Sequence, residues 1–190
     1  MGNKTTHTKI VNAADHLFYR RGFNRTSFAD IACVVNISRG NFYYHFKSKD
    51  EILAAVIKLR FANTRAMLNR WQTQANTPQK RIEYFIQILV LNGDEIKKFG
   101  CPVGTLTGEL SKLDHVLHPQ AGGVFSLFRE WLGEQFCQLG KSSNADELAI
   151  HLLARSQGVA TLANALNDDS FVAHEVKQMC EWVSACADDV

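Results

Sequence analysis

Apolar residues recur along this chain at steps of three and four, the period of an α-helix with one face against a core. Ile10, Ala13, Ala14, Leu17 and Phe18 set the pattern and predict a helix over about Thr8 to Arg21, closed by Gly22 as a C-terminal capping glycine. Phe28, Ile31, Ala32 and Val35 form a second, shorter stripe. Thr26 is placed to cap it, and Asp30 lies in its opening turns, where the positive end of the helix dipole favours an acid. Asn36 breaks the stripe, and Asn is the non-glycine residue that best tolerates the left-handed conformation of a tight turn. Ser38 is then a good N-cap for a short helix over Arg39 to Tyr44, with Phe42 and Phe46 four apart and facing inward.

Further on, a long run from Asp50 to about Gln74 carries Ile52, Leu53, Val56, Phe61, Met67, Leu68 and Trp71. Thr77-Pro78 opens another helix, with Ile82, Phe85, Ile86, Leu89 and Val90 on one side. Residues 99–104 interrupt the pattern, and a short helix follows through Leu106 and Leu110. His118-Pro119 begins a helix that reaches about residue 138, and a polar loop over 140–144 precedes two last helices, about Ala145 to Leu166 and about Ser170 to Ala187. No segment alternates with period two for long enough to make a strand. The predicted fold class is all-α, with about nine or ten helices.

The short helix after Ser38 has an unusual surface. Arg39, Asn41, Tyr43, Tyr44 and His45 stand beside Lys47 and Lys49, more polar tips than a short core helix needs. Two short helices joined by a tight turn, the second crowded with basic, amide and aromatic groups, is the layout of a helix-turn-helix whose second helix enters the DNA major groove. Arg39 has the fork for guanine O6 and N7, and Asn41 the donor and acceptor that adenine presents. Gly40 costs roughly 1 kcal/mol relative to Ala in a helix. Close approach of the backbone to a phosphate is a reason to accept it.

This segment resembles the DNA-binding domain of the TetR/AcrR family of bacterial transcriptional regulators. The resemblance rests on Gly22-Phe23-Asn24-Arg25-Thr26, Ile31-Ala32, Ser38-Arg39-Gly40-Asn41-Phe42-Tyr43 and His45-Phe46-Lys47-Ser48-Lys49, and spans about the first fifty residues. Val35-Asn36 stands where the family usually has Ala-Gly. The resemblance implies phosphate contacts from Thr26, Tyr43 and Lys49, and groove contacts from Arg39, Gly40, Asn41, Tyr44 and His45, with Ser38 opening the reading helix. It also implies a homodimer formed by the helices at 119–138 and 145–166, an effector pocket in the body, and double-stranded operator DNA as partner. The expected domains are a DNA-binding domain over 1–49 and an effector-binding and dimerisation domain over 50–190, connected by the helix from about 50 to 74.

Charge follows the same division. The net charge is only +2, but residues 1–60 carry 10 Lys and Arg against 4 Asp and Glu, while the other 130 carry 11 against 15. A basic head on a mildly acidic body fits one end on DNA. Residues 1–9 are polar and unlike a signal peptide, and no stretch approaches a membrane span. Five scattered cysteines form neither a disulfide framework nor a zinc pattern, so a cytosolic protein with reduced thiols, and with no metal or cofactor, is expected.

Within the body, Gly122, Gly123, Gly133, Ala149, Ala154, Gly158, Ala160 and Ala163 are small enough for close helix approach. Phe85, Leu89, Phe99, Leu106, Phe125, Phe128, Trp131 and Trp182 are candidates to line the effector pocket. Gly100-Cys101-Pro102 is similar to a Gly-Cys motif in a branch of the family that includes NemR-like regulators, which respond to electrophiles or oxidants through that cysteine. Cys101 is therefore either a reactive sensor or a packing residue. Two readings from other classes stay open: a helical thiol enzyme using Cys101, and an architectural DNA binder without an effector. The expected function is a homodimeric repressor released from its operator by a small molecule, electrophile or oxidant, although activators share the same head.

Overall fold

A computed structural model describes residues 2–188, and the described residues form ten α-helices and no strand. Met1, Asp189 and Val190, which the domain limits drawn from sequence include, lie outside them. In chain order the helices are α1 (Gly2–Arg21), α2 (Phe28–Val35), α3 (Arg39–His45), α4 (Lys49–Gln74) and α5 (Pro78–Leu91), then α6 (Gly93–Phe99), α7 (Pro102–Lys112), α8 (His118–Gln138), α9 (Ala145–Leu166) and α10 (Asp169–Asp188).

The chain divides into two compact units, each built from separate stretches of sequence. One unit holds residues up to Asn63 together with Thr105–Gly123; the other holds Thr64–Gly104 and everything from Val124 onward. The first unit therefore packs α1, α2 and α3 with the N-terminal part of α4, most of α7 and the start of α8. Its core is continuous through Ile10, Phe18, Phe42, Ile52, Leu53 and Leu110, all nearly sealed from solvent. In the second, Ile82, Ile86, Leu132, Phe136, Leu152 and Met179 are fully buried on α5, α8, α9 and α10.

Local chemistry fixes the ends of the helices that matter. Ser27 caps α2, and the box is reciprocal: Asp30 N–H donates to Ser27 Oγ at 3.2 Å and Ser27 N–H donates to Asp30 Oδ2 at 2.8 Å. Such a cap stabilises a helix by about 1 kcal/mol. This corrects the assignment of Thr26 as the cap. Thr26 is buried at 1% exposure, and its hydroxyl donates instead to the Gly22 carbonyl at 2.8 Å. Asn36 closes α2 in the left-handed conformation, φ 56° and ψ 53°, as its place in the turn predicts. Ser38 caps α3 through the Asn41 N–H. Thr77 caps α5 with Pro78 in its first turn, where a missing N–H costs nothing.

The run after Thr77 differs from the pattern in one respect. It is broken at Asn92 (φ −105°, ψ 16°) into α5 and a separate short α6. Gly100, at φ 78°, then turns the chain into α7.

Candidate functional site

Helix α3 presents its polar side outward. Arg39, Gly40 and Asn41 are exposed, Tyr43 and Tyr44 are 48% and 66% exposed, and Phe42 is sealed beneath them. The seven-residue helix is anchored by that one ring, which tilts against Phe28 at 5.0 Å between centroids; Tyr43 meets Phe28 edge-on at 5.5 Å. The ring contact to Phe28 thus orients Tyr43 although nearly half of the residue is exposed. Lys47 closes the helix by donating from Nζ to the Tyr43 carbonyl at 2.5 Å, which suits the negative end of the dipole. His45 is half-buried, edge-on to Tyr44 at 5.4 Å and 6.4 Å from the ring of His7, which itself stacks on Phe46. Beside α3 lies a hollow of about 240 Å³ lined by Ser27, Ala29, Arg39 and Tyr43 at the N-terminus of α2, where backbone N–H groups and a guanidinium suit an anion.

Two residues expected at this surface have other tasks. Thr26 is inside, its hydroxyl already donated, so its side chain supports the loop between α1 and α2 and does not face outward. Lys49 donates from Nζ to the carbonyls of Phe23 (3.1 Å) and Thr26 (3.3 Å) and lies 4.2 Å from the Phe23 ring centroid. Its charge grips the same loop.

The opposite grip was not anticipated. Glu109 of α7 accepts the N–H groups of Phe23 and Asn24, each at 2.8 Å. Gly22 makes room for it: the backbone there has φ +88°, and a Cβ would lie 3.0 Å from Glu109 Oε1. His115 adds an edge-on ring contact to Phe23 at 5.2 Å and lies 3.3 Å from Asp50. Glu109 stands in the sequence within the stretch that follows Cys101, but its partners are 86 and 85 residues away, beyond any local signal.

The second unit contains a cavity of about 200 Å³. Of the residues named as pocket candidates, Phe85, Leu89, Cys101, Phe125 and Phe128 stand on its wall, joined by Thr64, Met67, Asn92, Ser156 and Gln157. Cys101 Sγ accepts the Gly104 N–H at 3.5 Å, in the first turn of α7. The other four candidates are elsewhere. Leu106 is buried in the core of the first unit. Trp131 packs on Trp71 at 5.7 Å, and Trp182 lies between Phe136 and His151. Phe99 is half-buried off the wall. His115 and His118 belong to the first unit, and His151 is exposed against Trp182.

Small residues on α8 and α9 also separate. Ala149, Ala160 and Ala163 are internal, and Gly123 is occupied by Phe61, whose ring would be 2.8 Å from a Cβ there. Gly122 faces the Thr107 methyl. Gly133 and Gly158 face open space. On α9, Ile150, Ala154, Gly158, Leu162 and Leu166 form an exposed stripe at intervals of four, with Ile150, Leu162 and Leu166 43%, 45% and 60% exposed.

A family model describing bacterial regulatory proteins of the tetR family matches residues 10–56. A helix-turn-helix-type transcriptional regulator from the lacX 3′ region of Lactococcus lactis is 29% identical over 169 residues, 87% of this chain and 86% of that protein. The helix-turn-helix-type transcriptional repressor DhaR of Mycobacterium sp. strain GP1 is 25% identical over 83% of this chain and 82% of its own length. A TetR transcriptional regulator from Legionella pneumophila has a solved structure that superposes with a TM-score of 0.80 at 26% identity, covering 91% of this chain and 94% of that one. A helix-turn-helix head on an all-helical body defines a DNA-binding regulator. Residues 10–56 match the tetR-family model, and most of the chain is similar to TetR-family transcriptional regulators, proteins that bind operator DNA and typically dimerise. The relatives and the shared fold are those of transcriptional regulators, which sets aside the thiol-enzyme reading. Among the described residues, no helix is long and apolar enough to cross a membrane.

Proposed function

We propose that this regulator is a homodimeric repressor in the cytosol that reads its operator with α3 and is released when a small molecule occupies the cavity of the second unit. The observation that carries the reading is the outward face of α3, where Arg39, Asn41, Tyr43 and Tyr44 are exposed over a single buried anchor, Phe42. Arg39 and Asn41 are the candidates for base edges. Tyr43 and the N-terminus of α2 would take a backbone phosphate, with Ser38, Gly40 and His45 beside them. Thr26 and Lys49 contribute by fixing the loop that presents α2.

The dimer would form through the stripe on α9 together with the Gly133 side of α8. Two heads held by one dimer suit half-sites one turn of DNA apart, about 34–36 Å. The repressor sign follows the similarity to a named repressor, and release follows the cavity. An effector acts only through its different affinity for two states, a coupling of typically about 1–3 kcal/mol. Helix α4 runs unbroken from Ile52 and Leu53, in the core of the first unit, to Thr64 and Met67, on the cavity wall.

Cys101 favours a second trigger. It lines the cavity immediately before α7, so a reactive electrophile entering the cavity would come close to it. Cys101→Ser should then abolish release by quinones while leaving operator binding intact; unchanged release makes Cys101 a packing residue.

The test of the main reading is fluorescence anisotropy with DNA from just upstream of the protein's own gene, with random DNA as competitor at physiological salt. Binding should resist the competitor and weaken steeply with salt. Arg39→Ala should cost about 1–3 kcal/mol at one base position if Arg39 reads a base. A uniform loss on every sequence would assign Arg39 to the backbone, and no loss would remove it from the interface.

A further inference from the structure

We infer that the cavity takes an uncharged, mostly apolar aromatic molecule of on the order of ten non-hydrogen atoms, with one carbonyl or hydroxyl group directed at Gln157. The inference rests on reading this cavity as the effector pocket and specifies what that pocket selects.

Size comes first. About 200 Å³ is small beside the roughly 300–1,000 Å³ of pockets for drug-sized ligands, and equals the liquid volume of about seven waters. Charge comes next. Among the described residues, no Asp, Glu, Lys, Arg or His lines the wall. A charged ligand would lose its hydration with nothing opposite to compensate, a far larger cost than burying a neutral polar group.

The apolar part has a direction. Phe85 and Phe128 are tilted against each other at 5.5 Å between centroids, with Phe125 on the same wall. A third ring adding to this pair gains aromatic contact beyond its buried area.

The polar part is narrowed by elimination. Ser156 is 4% exposed and its hydroxyl already donates to the Leu153 carbonyl at 2.7 Å, so it offers a ligand little. Asn92 is exposed at the rim. Gln157 is half-buried, and its amide has no hydrogen-bond partner among the described residues. Its position is supported by a specific absence: a Cβ on Gly104 would come within 2.9 Å of Gln157 Oε1, so only glycine there leaves the amide where it is. An amide that lines an apolar cavity without a partner gives and accepts one hydrogen bond to whatever enters. Thr64, on the same wall, is a second and smaller polar contact.

The experiment is an NMR titration of the full chain with a matched series: acetophenone and benzamide, both neutral, against benzoate and benzylammonium. The neutral pair should bind about tenfold or more tightly than either ion. Gln157→Leu should weaken the neutral pair about tenfold, the typical effect of losing a partner for a buried polar group. Val103→Trp, a substitution at a half-buried wall position, should abolish binding. Ions binding as well as the neutral pair, no neutral compound binding, or Gln157→Leu having no effect would each overturn the proposal. Ion binding that Val103→Trp blocks would reject the ligand class but retain the cavity as the effector pocket. Binding of any compound that survives Val103→Trp would reject both.

Discussion

Glu109 shows how much of this head depends on one carboxylate far from it in sequence. Two backbone N–H groups at the entrance to the helix-turn-helix are satisfied by it, and bonds from an ionised acceptor are the stronger kind. Replacing it with Gln keeps the shape but turns one acceptor into a donor facing an N–H. Glu109→Gln should cost about 1–2 kcal/mol in thermal unfolding and speed hydrogen exchange at the Phe23 and Asn24 amides. Unchanged exchange would show that the loop does not depend on α7. Asp30 makes a pH prediction. Hydrogen bonds from Ser27, first through its side chain and then its backbone, hold the Asp30 carboxyl below its ordinary value of 3.8, with Arg21 adding a smaller favourable charge. A carboxylate with a lowered folded-state pKa stabilises the fold above its ordinary value, and the contribution disappears as pH falls through the lower folded value. The melting temperature of Asp30→Asn should thus lie below that of the native chain at neutral pH and converge with it as pH drops below 3.8. A gap that persists undiminished at acid pH would mean the box is not electrostatic.

At the scale of elements, the stripe on α9 is the feature most easily tested. Leu162 is 45% exposed in the middle of apolar and small residues spaced by four. Leu162→Arg places a charge where a partner helix would pack, so sedimentation should show a monomer with its fold intact and operator affinity greatly reduced. A variant that remains dimeric would move the interface elsewhere. Much of this level was legible in sequence because helix-forming patterns and caps are local: Asn36 and Ser38 occupy the places their chemistry predicts. Contacts between distant segments were not legible. Period alone identifies α9 as a helix, but it is apolar or small on several sides, so it does not separate the internal Ala149, Ala160 and Ala163 from the outward Gly158. The aromatic candidates divided for the same reason: Phe85 and Phe128 line the cavity, whereas Trp131 packs at a tilt on Trp71 and Trp182 meets Phe136 edge-on. Asn92 splits α5 from α6 without Gly or Pro, the residues that usually announce a break. Thr26 misled because Ser27, a better cap by one position, stands next to it.

On the scale of the whole molecule, charge and structure agree. The basic surplus lies in the first sixty residues, with the helix-turn-helix, and the acidic surplus lies beyond them. On the function proposed above, the exposed face of α3 reads a DNA sequence in a two-fold arrangement. The most direct measurement is selection of bound sequences from a random duplex pool by the purified full chain, repeated with Arg39→Ala. Enrichment of an inverted repeat with half-site centres one or a few helical turns apart is expected, with loss of preference at one symmetric pair of positions in the variant. A pool that stays random, or an enriched site identical for both proteins, would contradict the reading of α3 as the sequence-reading element.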